Sequence, residues 1–171
     1  MNEKLMKALN DQFNYEMLSG YYYVGMAAYC ESENMRGMAH FLNEQAKEEY
    51  LHSMKFYTFI NDMGGRVTVQ AIPEPKNDYK SFLEVFEMAL HHEKSVTSRI
   101  YDLLDMAKEE SNYPTTGFLQ WFVEEQLEEE NNMQDIIFKL KGVKDHFQGL
   151  MMIDKELGSR VPVTSAVVEA E

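Results

Sequence analysis

Residues 48–52 read Glu48-Glu49-Tyr50-Leu51-His52. Glu49 and His52 are spaced Glu-x-x-His, so on an α-helix they share one face, one turn apart. Steps of three and four residues in both directions from this pair give Met38, Leu42, Gln45, Glu49, His52, Phe56, Phe59 and Met63. That is the apolar stripe of a core-facing helix, and it places Glu49 and His52 inside the protein.

Three more stretches show the same period. The first gives Leu9, Phe13, Glu16, Gly20, Tyr23, Ala27 and Cys30. The third gives Phe82, Phe86, Ala89, Glu93, Val96, Ile100, Leu103 and Ala107. The fourth gives Phe118, Phe122, Gln126, Glu129, Met133, Ile136 and Leu140. Each stripe is interrupted near its middle by a glutamate, namely Glu16, Glu49, Glu93 or Glu129. Unpaired carboxylates in a core cost several kcal/mol each, and like charges add to that. No lysine or arginine occupies these stripes. Protonation could neutralise one or two of the acids, but a bound cation is the simpler counter-charge. Carboxylates with one imidazole suit a hard to borderline divalent ion, iron or manganese before copper. Di-iron carboxylate bundles take a lone Glu from each of two helices and Glu-x-x-His from the other two. Here the first and third helices carry the lone glutamates and the second carries Glu49-x-x-His52. The fourth has Asn132 where a second histidine would stand, with Gln126 one turn before Glu129.

The periodicity predicts helices over 2–32, 35–63, 79–110, 114–142 and 145–157. The joints around Ser32–Met35 and Glu110–Pro114 are short, which makes antiparallel neighbours. The segment GGRVTVQAIPEPKND, residues 64–78, is different. Its roughly 15 residues reach about 50 Å extended, and a helix of about 28 residues is about 42 Å long. It can therefore cross the whole bundle. The expected fold is all-α: a four-helix bundle with a long crossover between the second and third helices and a short fifth helix. Residues 1–157 form the domain and 158–171, without a helical stripe, an exposed tail.

The chain has 171 residues, of which 44% are hydrophobic, enough for one domain with a sizeable core. Against 29 acidic residues stand 16 basic ones, for a net charge of −13. That argues against a nucleic-acid partner, which needs a basic face, and favours attraction of cations. Cys30 is the one cysteine, so no intrachain disulfide forms, which points to a reducing, cytoplasmic setting. The opening MNEKLMKALN lacks the apolar run of a signal peptide, and no stretch reaches the ~18 apolar residues of a membrane span.

With these residues in hand, the chain resembles the bacterial non-haem ferritins. The matching stretches are NYEMLSGYYY, FLNEQAKEEYLH, LHHEK, YPTTGFLQWFVEEQLEEE and IDKEL. The resemblance implies the ferritin-like bundle and a di-iron centre without haem. Its first iron site would use Glu16, Glu49 and His52. Its second would use Glu49 as a bridge with Glu93 and Glu129, and Gln126 beside them. Tyr23 would be the tyrosine next to the irons. A third, looser site would use Glu48, Glu125, Glu128 and Glu129. The implied function is ferroxidase and iron storage. Fe(II) is oxidised by O2 or H2O2 and kept as ferric oxide inside a homo-oligomeric shell of twenty-four subunits. The fifth helix, with Phe147, Leu150, Met151, Ile153 and Leu157, would pack at the fourfold axis; read from its residues alone it could equally be a lid on the bundle's open end.

Other residues carry plainer expectations. Trp121 is a core aromatic, Cys30 a structural thiol and the thirteen methionines adaptable filler. Tyr23 stands evenly between core filler and a redox or hydrogen-bonding neighbour of the metals. His91 and His92 leave the face of Glu93 and are non-ligands. The acidic run over residues 124–130 has one edge near the proposed site, and iron transit there is weighed evenly against a solvated face. The alternatives are a di-iron redox enzyme of the rubrerythrin or bacterioferritin kind, and a metal-free structural bundle. A rubrerythrin wants a cysteine-rich iron site. A bacterioferritin wants the second Glu-x-x-His.

Overall fold

The computed structural model describes residues 2–144 and 146–163. Among them every regular element is a helix: α1 (Glu3–Ser32), α2 (Arg36–Asp62), α3 (Phe82–Glu109), α4 (Tyr113–Val143) and α5 (Phe147–Leu157). Local chemistry sets most of the ends. Asn2 caps α1 by accepting from Leu5 N, and Asn112 caps α4 by accepting from Thr115 N, with Pro114 in the first turn. Asn34 and Ser111 take positive φ (62° and 51°) at the two short joints, and Gly64 does so (77°) after α2.

Among the first four helices, one boundary differs from the expectation by more than one residue. α3 begins at Phe82, three residues later than the periodicity suggests. Ser81 is the cap, its hydroxyl accepting from Glu84 N at 3.1 Å, while the Tyr79 hydroxyl donates to the Lys76 carbonyl and belongs to the loop. The expected start of the fifth helix, Asp145, lies outside the described residues; His146 caps that helix.

Cross-helix contacts fix the topology. Pairing of Gln12 with Arg99, Ser19 with His92 and Tyr29 with Phe82 makes α1 and α3 antiparallel. Pairing of Gln45 with Glu129 and Phe59 with Phe118 does the same for α2 and α4. The crossover runs along α1. Thr68 and Gln70 bond Asn10 and Asn14, the backbone at Pro75–Lys76 lies against Gly25, and Tyr79 meets Tyr29. The segment thus traverses the bundle, and α2 and α3 run parallel.

The apolar core is split in two. One cluster gathers Leu5, Leu9, Phe13, Phe56, Ile60, Ile100, Leu119 and Phe122. The other gathers Met26, Cys30, Met38, Leu42, Phe86, Met133, Ile136 and Leu140, closed by Ile153 and Leu157 of α5. Between them lies a layer of buried polar residues.

α5 closes the bundle through one contact that local sequence does not announce. Met35 offers α2 no side-chain cap. Asp154, from α5, accepts from Met38 N at 2.8 Å and supplies a cap from a distance. The approach requires Gly37, since a Cβ there would stand 1.7 Å from the Asp154 carbonyl oxygen. We expect Asp154→Ala to cost about 1 kcal/mol as a lost cap. Gly37→Ala should cost more, about 1–3 kcal/mol, by forcing α5 off the bundle. Urea unfolding of the two variants followed by circular dichroism gives the order.

Candidate metal centre

Glu16, Glu49, Glu93 and Glu129 come from four different helices, and none is more than 2% exposed. His52 is 1% exposed. Gly20 lets α1 and α2 approach closely here: a Cβ on it would lie 3.2 Å from the Ala46 carbonyl oxygen and 3.5 Å from Glu49 Cβ.

The layer has two unlike halves. On one side Glu16, Glu49 and His52 each offer a ligand atom, all within 4.8 Å of one another. Glu16 Oε2, Glu49 Oε2 and His52 Nε2 are buried without a hydrogen-bond partner. Native interiors rarely leave polar atoms so, and three together form a donor set suited to a cation. On the other side the carboxylates are engaged. Glu93 accepts from the Tyr23 hydroxyl in a short bond and from Gln126 Nε2 at 3.0 Å. Glu129 Oε2 accepts from Gln45 Nε2 at 2.7 Å.

Burial governs the electrostatics. Desolvation pushes the Glu16 carboxyl up, and Glu49 and Glu129 further, with the neighbouring Glu93 charge adding to both. Glu93 is raised to about 7, again by burial, against the donors Tyr23 and Gln126. Glu16 and Glu49 face each other within 4.8 Å, and each carboxyl is raised chiefly by burial. Burial and the charge of Lys55 lower His52 to about 3, so its imidazole is neutral with a lone pair to give.

Around the acids stands a shell of glutamines. Gln12 donates to Glu16 Oε1 at 2.8 Å and accepts from Arg99 Nε at 2.7 Å. Gln45 and Gln126 serve Glu129 and Glu93. The stripes alone do not single out Gln12 and Arg99. A signal existed, because Gln12 precedes Glu16 by one turn as Gln45 precedes Glu49.

The remaining candidates sort clearly. Glu48, Glu125, Glu128 and Glu129 line one cleft of about 420 Å³ on the α2–α4 side, together with Arg160 and Lys139. Glu125 Oε1 lies 3.8 Å from His52 Nε2, which links the cleft to the first trio. Asn132 faces this cleft. His92 is held away from the acids by Ser19 Oγ at 2.6 Å and by Tyr15 and Tyr22, and burial lowers it to about 4. Trp121 departs from its expected core position: it is half-buried at the edge of one cluster, edge-on to His52 at 5.4 Å with Lys55 over its ring. Cys30 is fully buried and its thiol is pushed up to about 12 by desolvation.

A four-helix bundle with a crossover between parallel second and third helices, and a carboxylate–histidine layer across its waist, defines a class of metal-handling proteins. The sequence profile of the family described as "Ferritin-like domain" matches residues 6–143, and the chain belongs to that family. The chain is 41% identical over 160 residues to the bacterial non-heme ferritin of Staphylococcus aureus (strain USA300), covering 94% of this chain and 96% of that one. The Staphylococcus haemolyticus protein of the same name gives the same identity and coverage. Among solved structures, an open pore ferritin from the hyperthermophilic archaeon Archaeoglobus fulgidus superposes with a TM-score of 0.93 at 40% identity, over 94% of this chain and 99% of that one. A humanized archaeal ferritin gives 0.94 at 39% identity, over 96% and 99%.

The raised carboxyls make a pH test. A carboxyl whose folded pKa lies above its unfolded value favours folding below the unfolded value and loses that contribution as pH rises through the folded one. Glu49→Gln imitates the protonated form. In metal-free protein it should raise the melting temperature at pH 7.5 and change it little at pH 5. Every tenfold difference in proton affinity between the folded and unfolded chain is worth about 1.4 kcal/mol. Differential scanning calorimetry in chelator reads the difference.

Proposed function

We propose that the chain is an iron-storage protein that oxidises Fe(II) to Fe(III) at a two-metal centre and keeps the product as ferric oxide mineral within a homo-oligomeric shell. The observation that carries this reading is the trio of buried, unpartnered ligand atoms on Glu16, Glu49 and His52, with two further buried carboxylates beside it. Fe(II) is the substrate. Arriving at Glu16, Glu49 and His52, it displaces a proton from the raised carboxyls and meets a neutral imidazole. Glu49, Glu93 and Glu129 form the second half-site, with Gln126 and Tyr23 holding Glu93. Two Fe(II) give up one electron each; O2 accepts both with two protons and leaves as H2O2, and H2O2 accepts one electron from each of two further Fe(II), with two protons, to become two waters. The oxidised iron leaves the oxygen-only side, with Glu48, Glu125 and Glu128 offering a path.

The halves differ in the work of filling them. The first trio gives up a carboxyl proton but no side-chain partner at its unsatisfied atoms, whereas Glu93 and Glu129 must release Tyr23, Gln126 and Gln45. The histidine side should therefore fill first and hold more tightly. A retained di-iron redox centre of the bacterioferritin kind would want a second imidazole, and the position for it is Asn132. Among the described residues no helix is long and apolar enough to cross a membrane, and we assign the protein to the cytoplasm.

In anaerobic Fe(II) titration His52→Ala should abolish the tighter step, and Glu129→Ala should mainly slow oxidation in stopped-flow absorbance. Glu49→Ala, which removes the bridge, should reduce rapid oxidation at least about a hundredfold, the range of losing a positioned catalytic group. Iron added in air should form soluble mineral far beyond the centre's complement. Uptake that stops at about two irons per chain, the content of a retained di-iron centre, would replace storage with a redox enzyme.

A twenty-four-subunit shell needs further interfaces. α5 buries Ile153 and Leu157 in its own bundle but leaves Phe147 (68% exposed), Met151 (41%) and Met152 (74%) outward. Those outward side chains would meet other subunits. Phe147→Arg with Met151→Arg should keep helical content while light scattering shows a smaller particle. An unchanged particle would show that this face is not an interface.

A further inference from the structure

The segment after α5 does not hang free. Residues 158–163, expected as part of an exposed tail, are largely exposed and lie against α2; residues 164–171 lie outside the described residues. Val163 N donates to Glu44 Oε2 at 2.7 Å, and the Arg160 carbonyl meets His40 Nε2 at 2.9 Å. The Arg160 guanidinium sits 4.6 Å over the Phe41 ring and reaches into the acidic cleft. Its Nη2 pairs with Glu48 Oε2 at 2.6 Å, and its Nη1 donates to Gln45 Oε1 in a short bond. Gln45 is fully buried. An amide that presents its oxygen to Arg160 must present its nitrogen elsewhere, and here Gln45 Nε2 donates to Glu129 Oε2. Arg160, Gln45 and Glu129 thus form a relay from the strap to the edge of the metal centre.

We infer that Arg160 is a positioning residue for the second half-site: a cation carried by the chain itself, it fills the outer acidic cleft and, through the Gln45 amide, keeps Glu129 engaged until a divalent cation takes its place. This rests on Glu129 being an iron-binding group. A guanidinium fork and a divalent ion seek the same carboxylates, and their like charges oppose joint occupancy. Filling of the second half-site therefore requires Gln45 to turn away from Glu129 and Arg160 to release the Gln45 amide oxygen, which loosens the strap. The trio of Glu16, Glu49 and His52 is untouched by the relay, so its filling is independent of Arg160. The strap thereby couples cation occupancy of the cleft to the position of residues 158–163.

The test uses Zn(II), which is redox-silent and diamagnetic, on the whole metal-free protein by calorimetric titration. Wild type should show two steps. In Arg160→Ala the first should be unchanged and the second tighter by about tenfold. Arg160→Lys keeps the charge but lacks the fork, and should bring the second step part of the way back. A nitroxide on Val161→Cys, at a position 76% exposed, should gain mobility during the second step and not the first; Cys30, fully buried, is protected from the label. An unchanged or weakened second step in Arg160→Ala overturns the inference, as does a nitroxide that stays immobile throughout, while the metal centre itself stands. Absence of the first step in wild type overturns the metal centre, and the inference with it.

Discussion

The structure turns on the burial of four carboxylates and one imidazole at the waist of a helical bundle. Such groups oppose folding unless hydrogen bonds or a cation compensate them. The bundle concentrates its apolar residues into two clusters above and below and confines the acids to one layer between. The clusters provide the hydrophobic stabilisation, and the layer draws on it. Every feature of the centre is a response to that constraint. Glutamines and a tyrosine satisfy some carboxylate oxygens, burial raises the proton affinity of all four acids, and three ligand atoms remain without a partner.

The partition of those responses makes the two halves chemically different. On the α1–α2 side, the unsatisfied atoms are preorganised and need no rearrangement to receive a cation. On the α3–α4 side, each carboxylate has a partner to surrender. That difference suits the proposed transit and storage of iron more than retention. Asn132 reinforces the asymmetry, because the place for a second imidazole faces the outer cleft. The cleft, lined by Glu48, Glu125 and Glu128, continues the carboxylates outward.

The scaffold serves the layer in less visible ways. The crossover lies along α1 and makes α2 and α3 parallel, so that the lone glutamates of α1 and α3 face Glu49-x-x-His52 and Glu129. Gly20 admits close contact beside Glu49. Asp154 ties α5 to the start of α2, and the chain then turns back along α2 with Arg160 beside the cleft. Arg160 is therefore part of the electrostatics of the site, although it is far from it in sequence.

How much of this was legible in the sequence follows from the range of the forces involved. The four stripes and their glutamates are local patterns with a 3.6-residue period, so the helices, the core face and the buried acids could be read directly, as could the length of the crossover. Helix starts were less secure where a single cap decided them, as Ser81 did against Tyr79. What the sequence alone could not decide was which side of the layer would be preorganised, because that depends on which amide faces which carboxylate across helices. Nor could it place Arg160. Its partners, Gln45 and Glu48, are more than a hundred residues away. Only the folding of α5 onto the start of α2 brings them together.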